Sequence, residues 1–166
     1  LKSGITTNLT KAWDESVVGS VFWSQDSKNI YFTTAWKGTM QLFSLNRKTS
    51  KIQQVTKGDF DVSDIYAENS NSLLVSRTDM NHNADLFSVD VKNGAMKQLT
   101  EVNKDTYAKI TPSKTELKMV KTTDGKEMGV WFIYPPNFDP AKKYPTLLYC
   151  QGGPQSPLTQ FYSFRW

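Results

Sequence analysis

Short runs of apolar residues alternate with polar turns along residues 21–100, and this pattern predicts β-strands. The first unit reads VFWS, IYFTTAW, MQLFSL and KIQQVT, divided by QDSKN, Lys37-Gly38 and NRKTS. The runs are rich in aromatic and β-branched residues, and the turns fall at hairpin spacing. In the second unit, Asn93-Gly94 between FSVDV and MKQLT predicts a two-residue hairpin turn. We therefore expect antiparallel sheet without long helices.

The two units repeat with a period of 44 residues. The shift places the LFS of residues 42–44 on the LFS of residues 86–88. It also pairs Gln54 with Gln98, Thr56 with Thr100, Val21 with Ile65, Ile30 with Leu74, and Val55 with Leu99. A period of about 40–45 residues is that of a propeller blade, which is a four-stranded antiparallel sheet. Residues 4–10 (GITTNLT) are interpreted as the outer strand of a preceding blade.

The pattern changes after Thr100. Residues 103–112 are predicted to be a connector, and ELKMVKTT and EMGVWFIYP flank the turn Asp124-Gly125 as a candidate hairpin. The apolar run TLLYC, residues 146–150, predicts a strand covered on both faces. We place a domain boundary near residues 108–114. A propeller needs about four to eight blades, so the first part is expected to be incomplete. The second part is shorter than the roughly 100–200 residues of a typical domain, so it is expected to be incomplete as well.

Composition excludes several function classes. The net charge of +4 comes from 20 basic and 16 acidic side chains that are dispersed, which favours a solvated surface over a nucleic-acid patch. No apolar run approaches the length of a membrane span. The single cysteine, Cys150, cannot form an internal disulfide, and its apolar surroundings predict an inert core thiol. One cysteine and His82 do not make a standard structural zinc site.

The remaining candidate chemistry lies in acidic, aromatic and glycine-rich segments. Asp59, Asp61 and Asp64 are expected in a solvated turn rather than a metal site, so we predict neither metal nor cofactor. Tyr162, Phe164 and Trp166 alternate, which favours aromatic packing over stacking on a substrate. Residues 151–154 (QGGP) are, from the residues alone, most simply a tight turn. A phosphate-binding loop is disfavoured because no Gly-Lys-Ser/Thr follows.

The stretch KTTDGKEMGVWFIYPPNFDPAKKYPTLLYCQGGPQ resembles the crossing from propeller to hydrolase in the prolyl oligopeptidase family of serine peptidases. FWSQDSKNIYF and the LFSLN and LFSVD repeats are similar to blades of that family. The C-terminal CQGGPQSPLTQFYSFRW is most similar to bacterial dipeptidyl peptidases of the dipeptidyl peptidase 5 kind. The resemblance implies a mainly β chain. Residues 1–110 would be the C-terminal blades of a propeller, about two blades plus an edge strand. Residues 111–166 would be the first strands of an α/β-hydrolase domain.

The resemblance also implies amide hydrolysis by a Ser-Asp-His triad, releasing dipeptides from peptide N-termini without a cofactor. The triad is expected after Trp166, so no catalytic residue is expected in this chain, which is predicted to be inactive alone. Gln151, Gly152, Gly153 and Pro154 become candidates for the loop that stabilises the oxyanion. Many relatives carry histidine or tyrosine at the position of Gln151. Whether it supplies a side-chain donor, a backbone N–H or a structural contact stays open.

Further expectations concern partners and location. Peptides would be the substrates, and relatives of this kind are often periplasmic or secreted by bacteria. Incomplete sheets leave unpaired edges, so the chain is expected to self-associate. His82 is expected to be a solvated loop residue. The repeat alone favours an alternative, a non-catalytic β-propeller-like module that binds a protein or peptide. The crossing into QGGPQ separates the two hypotheses, because a binding propeller has no need of it.

Overall fold

Two four-stranded antiparallel sheets account for residues 21–98 of this computed structural model, which describes residues 4–17, 19–150, 152 and 157–164. Sheet 1 contains β1 (Val21–Trp23), β2 (Asn29–Trp36), β3 (Thr39–Asn46) and β4 (Ile52–Gln54). Sheet 2 contains β5 (Asp61–Asn69), β6 (Ser72–Asp79), β7 (His82–Asp90) and β8 (Met96–Gln98). In both sheets each strand pairs with the next one in the sequence. The strands predicted for the first unit are confirmed.

The 44-residue repeat reappears as matching hydrogen bonds in the two sheets. The hydroxyl oxygen of Thr56 accepts the backbone N–H of Leu42 at 2.9 Å. The hydroxyl oxygen of Thr100 accepts that of Leu86, also at 2.9 Å. Each threonine hydroxyl donates in turn to the side chain of the residue before that leucine. The threonine that both repeats share thus binds the segment after the fourth strand to the third strand in each sheet.

The turns between the third and fourth strands also match, and they correct the predicted two-residue turn. Asp90 Oδ1 accepts the backbone N–H groups of the second and third residues that follow it, and Asn46 Oδ1 does the same in sheet 1. These bonds fold each connection into a longer turn. In sheet 2 the turn is closed by two backbone hydrogen bonds, from the Asp90 N–H to the Ala95 carbonyl oxygen and from the Gly94 N–H to the Asp90 carbonyl oxygen. Gly94 takes a φ of 72° there.

Replacing Gly94 by alanine is expected to destabilise the protein more than replacing Gly125 does. Both glycines have positive φ, 72° and 81°, which costs an alanine about 1–2 kcal/mol. A Cβ on Gly94 would also lie 2.1 Å from the carbonyl oxygen of Val55, whereas a Cβ on Gly125 would meet nothing within 4 Å. Urea denaturation of both variants measures the difference. Equal losses of unfolding free energy would contradict the close approach.

The second sheet is displaced by one residue relative to the sequence repeat in its second strand. Ile30 and Phe32 lie on one face of sheet 1, and the residues on the equivalent face of sheet 2 are Leu73 and Val75. The pairing of Ile30 with Leu74 was therefore wrong by one position. The displacement begins where β5 pairs irregularly with β6. It ends at a register shift in the pairing of β6 with β7, near the turn that joins them. This irregularity absorbs one residue before the third strand, where the 44-residue spacing resumes.

The two sheets stack face to face, and the main core lies between them. Its buried residues are Tyr31, Leu42, Phe60, Val62, Ile65, Leu73, Val75, Phe87 and Val89. Sheet 1 contributes the first two and the β4–β5 connection contributes Phe60. Sheet 2 supplies the rest. Alternate residues of each strand point to opposite faces, so sheet 1 has a second apolar face to cover.

Residues 9–13 cover the second face of sheet 1, but they do not form the predicted strand. The structure has no strand in the described residues before Val21. Instead, Asn8 Oδ1 accepts the backbone N–H of Thr10 at 2.9 Å and folds the chain into a turn. Trp13 then packs edge-on against Phe43, with ring centroids 5.3 Å apart. The interpretation of residues 4–10 as the outer strand of a preceding blade was wrong, because the Asn8 side chain folds this segment into a turn.

After sheet 2 come a short helix and a separate hairpin. The helix α1 covers Lys104–Tyr107, and β9 (Thr115–Lys121) pairs with β10 (Glu127–Ile133). Gly125, in the turn between them, has a φ of 81°, so the predicted hairpin at Asp124-Gly125 is confirmed. None of the helices in the described ranges is long and apolar enough to cross a membrane.

The apolar run TLLYC is not a buried strand in this chain. No strand is assigned to residues 146–150, and Leu147 and Leu148 are 97% and 81% exposed. Cys150 is exposed as well, which overturns its assignment as a core thiol. The described strands pair among themselves and leave this segment without a neighbouring strand. Its sequence has the character of a strand, but a strand requires a partner.

Candidate functional site

The loop predicted to hold an oxyanion lies only partly within the described residues. Gln151, Gly153 and Pro154 lie outside them. Gly152 is exposed, and a Cβ built on it would meet no atom within 4 Å. The backbone on this side of the loop is therefore open to an approaching molecule. The next described residues after Gly152 are 157–164.

Residues 157–164 return from the loop to the sheets and bury two polar side chains. Thr159 is 8% exposed and Gln160 is 1% exposed. Gln160 Oε1 accepts the backbone N–H of Met80 at 3.2 Å, in the turn between β6 and β7. Its Nε2 is buried and has no hydrogen-bond acceptor among the residues that the structure describes. The segment after the loop is thus fixed to the end of a hairpin of sheet 2.

Asp61 is the centre of this attachment, which corrects its assignment to a solvated turn. It begins β5, is 2% exposed, and its Oδ1 accepts the backbone N–H of Met40 at 2.7 Å. Burial raises the pKa of Asp61, and hydrogen bonds from the Thr159 hydroxyl and from the backbone N–H groups of Met40 and Gln160 oppose that rise. The bond to Met40 therefore joins sheet 1 to sheet 2 through one buried carboxylate.

The other two aspartates of that cluster remain at the surface. Asp59 and Asp64 are exposed, and the Asp64 Oδ2 is 3.4 Å from the Ser76 hydroxyl. In the described part of the chain, no group of three or more histidine, cysteine or carboxylate side chains could hold a metal ion. The aspartates near residue 60 act through hydrogen bonds to the protein itself.

Two further contacts hold the later residues to the same ends of the hairpins. Trp131 Nε1 donates to the carbonyl oxygen of Gly38 at 3.1 Å. Asn81 and Ser113 exchange two hydrogen bonds, of 3.0 and 2.9 Å. The turns after β2 and after β6 therefore form one docking surface, which binds Ser113, Trp131 and Gln160. Neither contact could be predicted from a local pattern, because each joins residues far apart in the sequence.

His82 lies beside this surface and has a partner. Its Nδ1 is 2.9 Å from Asp79 Oδ1, and its side chain is about half exposed at 51%. The ring meets that of Tyr107 edge-on, with centroids 4.9 Å apart, and Tyr107 meets Tyr162 in the same way at 6.4 Å. His82 is thus a surface residue, as expected, but it is paired rather than fully solvated. Tyr162 packs on an aromatic neighbour, as predicted. The prediction was wrong for Phe164, which is 86% exposed, and Trp166 lies outside the described residues.

Two cavities of the described residues lie away from the loop. A cavity of about 340 Å³ lies beside the turns at Gln54 and Gly94, and another of about 350 Å³ is lined by Leu9, Trp13 and Ile52. Neither is lined by a residue of the segments around Gly152.

Comparison with known proteins identifies the family. Residues 2–128 match the model of the "Dipeptidyl peptidase IV (DPP IV) N-terminal region". The chain belongs to this family. One relative, Dipeptidyl-peptidase 5 of Porphyromonas gingivalis, is 40% identical over 166 residues, which is all of this chain and 24% of the relative. A Dipeptidyl-peptidase 5 of Aspergillus fumigatus is 32% identical over 93% of this chain and 22% of its own length.

The resemblance stated from the sequence is thereby confirmed. The chain spans about a quarter of the length of the curated relatives it matches. Among solved structures, the acylaminoacyl peptidase of Pyrococcus horikoshii superposes with a TM-score of 0.78 at 20% identity, over 98% of this chain and 24% of that one. At that identity the likeness concerns the fold.

Proposed function

We propose that this chain is a segment of a serine exopeptidase that releases dipeptides from the N-termini of peptides. The observation that carries this proposal is the 40% identity with a dipeptidyl-peptidase along the whole chain. The identity includes the segment from β9 to the glycine-rich loop, which a binding propeller does not need. Function resides in sites rather than folds, so the loop carries more weight here than the sheets.

The domain division is part of the same proposal. Residues 1–110 would be the last blades of a propeller, and residues 111–166 the opening part of an α/β-hydrolase domain. Two stacked four-stranded sheets with a 44-residue repeat support the first assignment. The second is supported by the separate hairpin of β9 and β10 and by the exposed apolar run at residues 146–150. That run would become a buried strand once further strands of the domain paired with it.

The chemistry follows from the loop and from a triad supplied by the rest of the protein. In acyl transfer a serine attacks the carbonyl carbon, a histidine carries the proton, and an aspartate orients the histidine. Negative charge then develops on the carbonyl oxygen and needs donors fixed in advance. The loop of residues 151–154 would supply backbone N–H groups for that purpose. The open backbone at Gly152 supports this role, and the reaction needs no cofactor.

The full-length protein is expected to cleave a dipeptide coupled to a chromogenic amine, and a serine-directed phosphonate should abolish the cleavage. The 166-residue chain is expected to show no cleavage, because the nucleophile and its base would lie elsewhere. Both proteins are assayed side by side at equal molar concentration. If the full-length protein binds peptides without cleaving them, the alternative of a non-catalytic binding module is favoured over a peptidase. Phosphonate-sensitive cleavage by the 166-residue chain would contradict the expectation that the nucleophile and its base lie elsewhere in the protein.

We further expect the isolated 166-residue chain to self-associate. Leu147, Leu148 and Phe164 are 97%, 81% and 86% exposed, and contiguous apolar surface of this kind promotes association. Light scattering at tens of micromolar, roughly the range in which such surface drives aggregation, should report dimers or larger species. The variant Leu147→Lys/Leu148→Lys should shift the population towards monomer. A monomeric wild-type chain would contradict the expectation.

A further inference from the structure

The guanidinium of Arg77 packs over two phenylalanine rings of the main core. Arg77 belongs to β6, and its Cζ lies 4.2 Å from the centroid of the Phe60 ring and 5.0 Å from that of the Phe87 ring. Both phenylalanines are 8% exposed, whereas Arg77 is partly exposed. A guanidinium stacks on aromatic faces and keeps its N–H groups in its own plane. The rings therefore fix the cation and leave its donors able to bind another group.

The Phe60 ring is held in place by its own loop. Gln41 is 1% exposed, and its Nε2 donates to the carbonyl oxygens of Gly58 and Phe60, at 3.1 and 2.8 Å. The ring also packs directly on Gly58, where a Cβ would lie 2.4 Å from Cε1 of the ring. The supports of the cation are thus set before any ligand arrives, which reduces the entropy lost on binding.

Arg77 has no anionic partner in the described ranges. No carboxylate oxygen there lies within 4 Å of its nitrogens, and none of the described residues accepts a hydrogen bond from its guanidinium. Burial lowers the pKa of Arg77 because it removes water from the cation, and the charge of Asp79 opposes this shift. Burying part of a charge without a partner is unfavourable, so the arrangement calls for an anion.

The carboxylates next to Arg77 in the sheet bind other groups. Asp85 is its partner across β6 and β7, but Asp85 Oδ1 accepts the hydroxyl of Thr100 at 2.6 Å. Asp79 Oδ1 accepts two backbone N–H groups of its own turn and lies 2.9 Å from Nδ1 of His82. The donors of Arg77 therefore indicate an anionic ligand from outside the described residues.

Arg77 lies close to the docking surface, yet the later residues bound there do not pair with it. Three residues after Arg77, the N–H of Met80 donates to Gln160, and Trp131 donates to Gly38 at the equivalent turn of sheet 1. With these contacts made, Arg77 is still partly exposed. This favours a ligand that arrives from solution over an acidic side chain of the protein itself.

We propose that Arg77 binds a carboxylate of the peptide substrate, either the C-terminal carboxylate or the side chain of an aspartate or glutamate. Carboxylates are the anionic groups that an unmodified peptide carries. A guanidinium presents two parallel N–H groups to the two oxygens of a carboxylate, which an ammonium group cannot do. This inference rests on the proposed function, since it takes a peptide as the ligand. It deepens that function by giving the sheets a share in the choice of substrate.

The test uses the full-length protein and two matched pairs of peptides. The first pair is tetraalanine with a free C-terminal carboxylate and its C-terminal amide. The second pair is the amidated peptides Ala-Ala-Asp-Ala and Ala-Ala-Asn-Ala. All of them release the same N-terminal dipeptide, Ala-Ala, which is measured by chromatography. The first pair detects recognition of the C-terminus, and the second detects recognition of an acidic side chain.

Three variants accompany the wild type. Arg77→Met removes the charge and the donors, and its unbranched side chain keeps contact with the aromatic rings. Arg77→Lys keeps the charge without the paired N–H groups. Lys118→Gln is the matched control. Lys118 also lies over two aromatic rings, but it has a carboxylate partner, Glu116, at 3.5 Å.

In the wild type we expect kcat/KM for a carboxylate peptide to exceed that for its uncharged counterpart by about 10- to 100-fold, the range for hydrogen bonds to a charged group. Arg77→Met should abolish this preference and leave kcat/KM for the uncharged peptide unchanged. Arg77→Lys should keep part of the preference, and Lys118→Gln should keep all of it.

Three results would overturn the proposal. The first is equal kcat/KM within both pairs for the wild type. The second is a preference that persists in Arg77→Met, or that Lys118→Gln abolishes as well, since the cause would then be elsewhere or would be net charge. The third is a lower melting temperature of Arg77→Met with equal losses for all the peptides, because Arg77 would then serve a carboxylate of the protein itself.

Calorimetry separates this inference from the proposed function. Binding is measured with the same peptides N-methylated at the second peptide bond, which blocks cleavage there. Tighter binding of a carboxylate peptide that is lost in Arg77→Met supports the site, even if the protein cleaves no peptide and the proposed function fails. Equal affinities within both pairs overturn the site, whether or not the protein is a peptidase.

Discussion

Replacing Gly152 by proline in the full-length protein is expected to lower kcat by about 100- to 1,000-fold, the effect typical of losing one oxyanion donor. Proline has no backbone N–H, so the substitution deletes the group that the proposal assigns to the loop. KM should change much less, because charge on the carbonyl oxygen develops in the transition state rather than in the bound substrate. Steady-state kinetics with a chromogenic dipeptide substrate measure both quantities.

Gly152→Ala is the matched control for this prediction. A Cβ at this position would meet no atom within 4 Å, and alanine keeps the N–H, so most of the activity should remain. Gln151→Ala then separates the alternatives that the sequence left open. A loss of kcat as large as that of Gly152→Pro would indicate a side-chain donor, and a small loss would indicate the backbone. Wild-type kcat in Gly152→Pro would remove the loop from the oxyanion site.

The strands could be predicted because their signal is local. Aromatic and β-branched residues recur between turn residues in both units, and the threonines of the repeat form the same hydrogen bonds in both sheets. The turn at Gly94 could not be predicted in detail, because the carboxylate of Asp90 captures two backbone N–H groups and lengthens it. The displacement of β6 could not be predicted either, because the register shifts in its pairing with β5 and with β7 offset each other and leave the 44-residue spacing on both sides intact.

The candidate site was harder to predict because its contacts are distant in the sequence. Asp61 stands between two other aspartates, a composition typical of an exposed turn. Its carboxylate instead accepts the backbone N–H of Met40, which lies in a strand of the other sheet. One signal was available, since an apolar residue stands on each side of Asp61. The run TLLYC shows the converse, because strand propensity cannot reveal whether a partner strand is present.

Leu42→Ala is expected to lower the free energy of unfolding by about 3–5 kcal/mol, the upper part of the range for buried leucines. Leu42 is 0% exposed and belongs to the core between the two sheets. Because the facing β-strands cannot collapse into the space left by the side chain, the cavity should persist. Urea denaturation of the 166-residue chain measures the effect. A loss below about 1 kcal/mol would show that the sheets do not stack in this way, since it would be less than the truncation of a buried leucine costs.

Leu147→Ala makes the same truncation at a site that is 97% exposed. In the 166-residue chain it should change the unfolding free energy by less than about 0.5 kcal/mol, as surface substitutions do. In the full-length protein the proposal covers residues 146–150 with neighbouring strands of the hydrolase sheet. There the same substitution should cost about 2–5 kcal/mol, as for other buried leucines. A cost near zero in both proteins would mean that this segment is not a core strand, and that the assignment of residues 111–166 to a hydrolase domain is wrong. A large cost confined to the longer protein would show that the strand character of TLLYC is realised only when its partners are present.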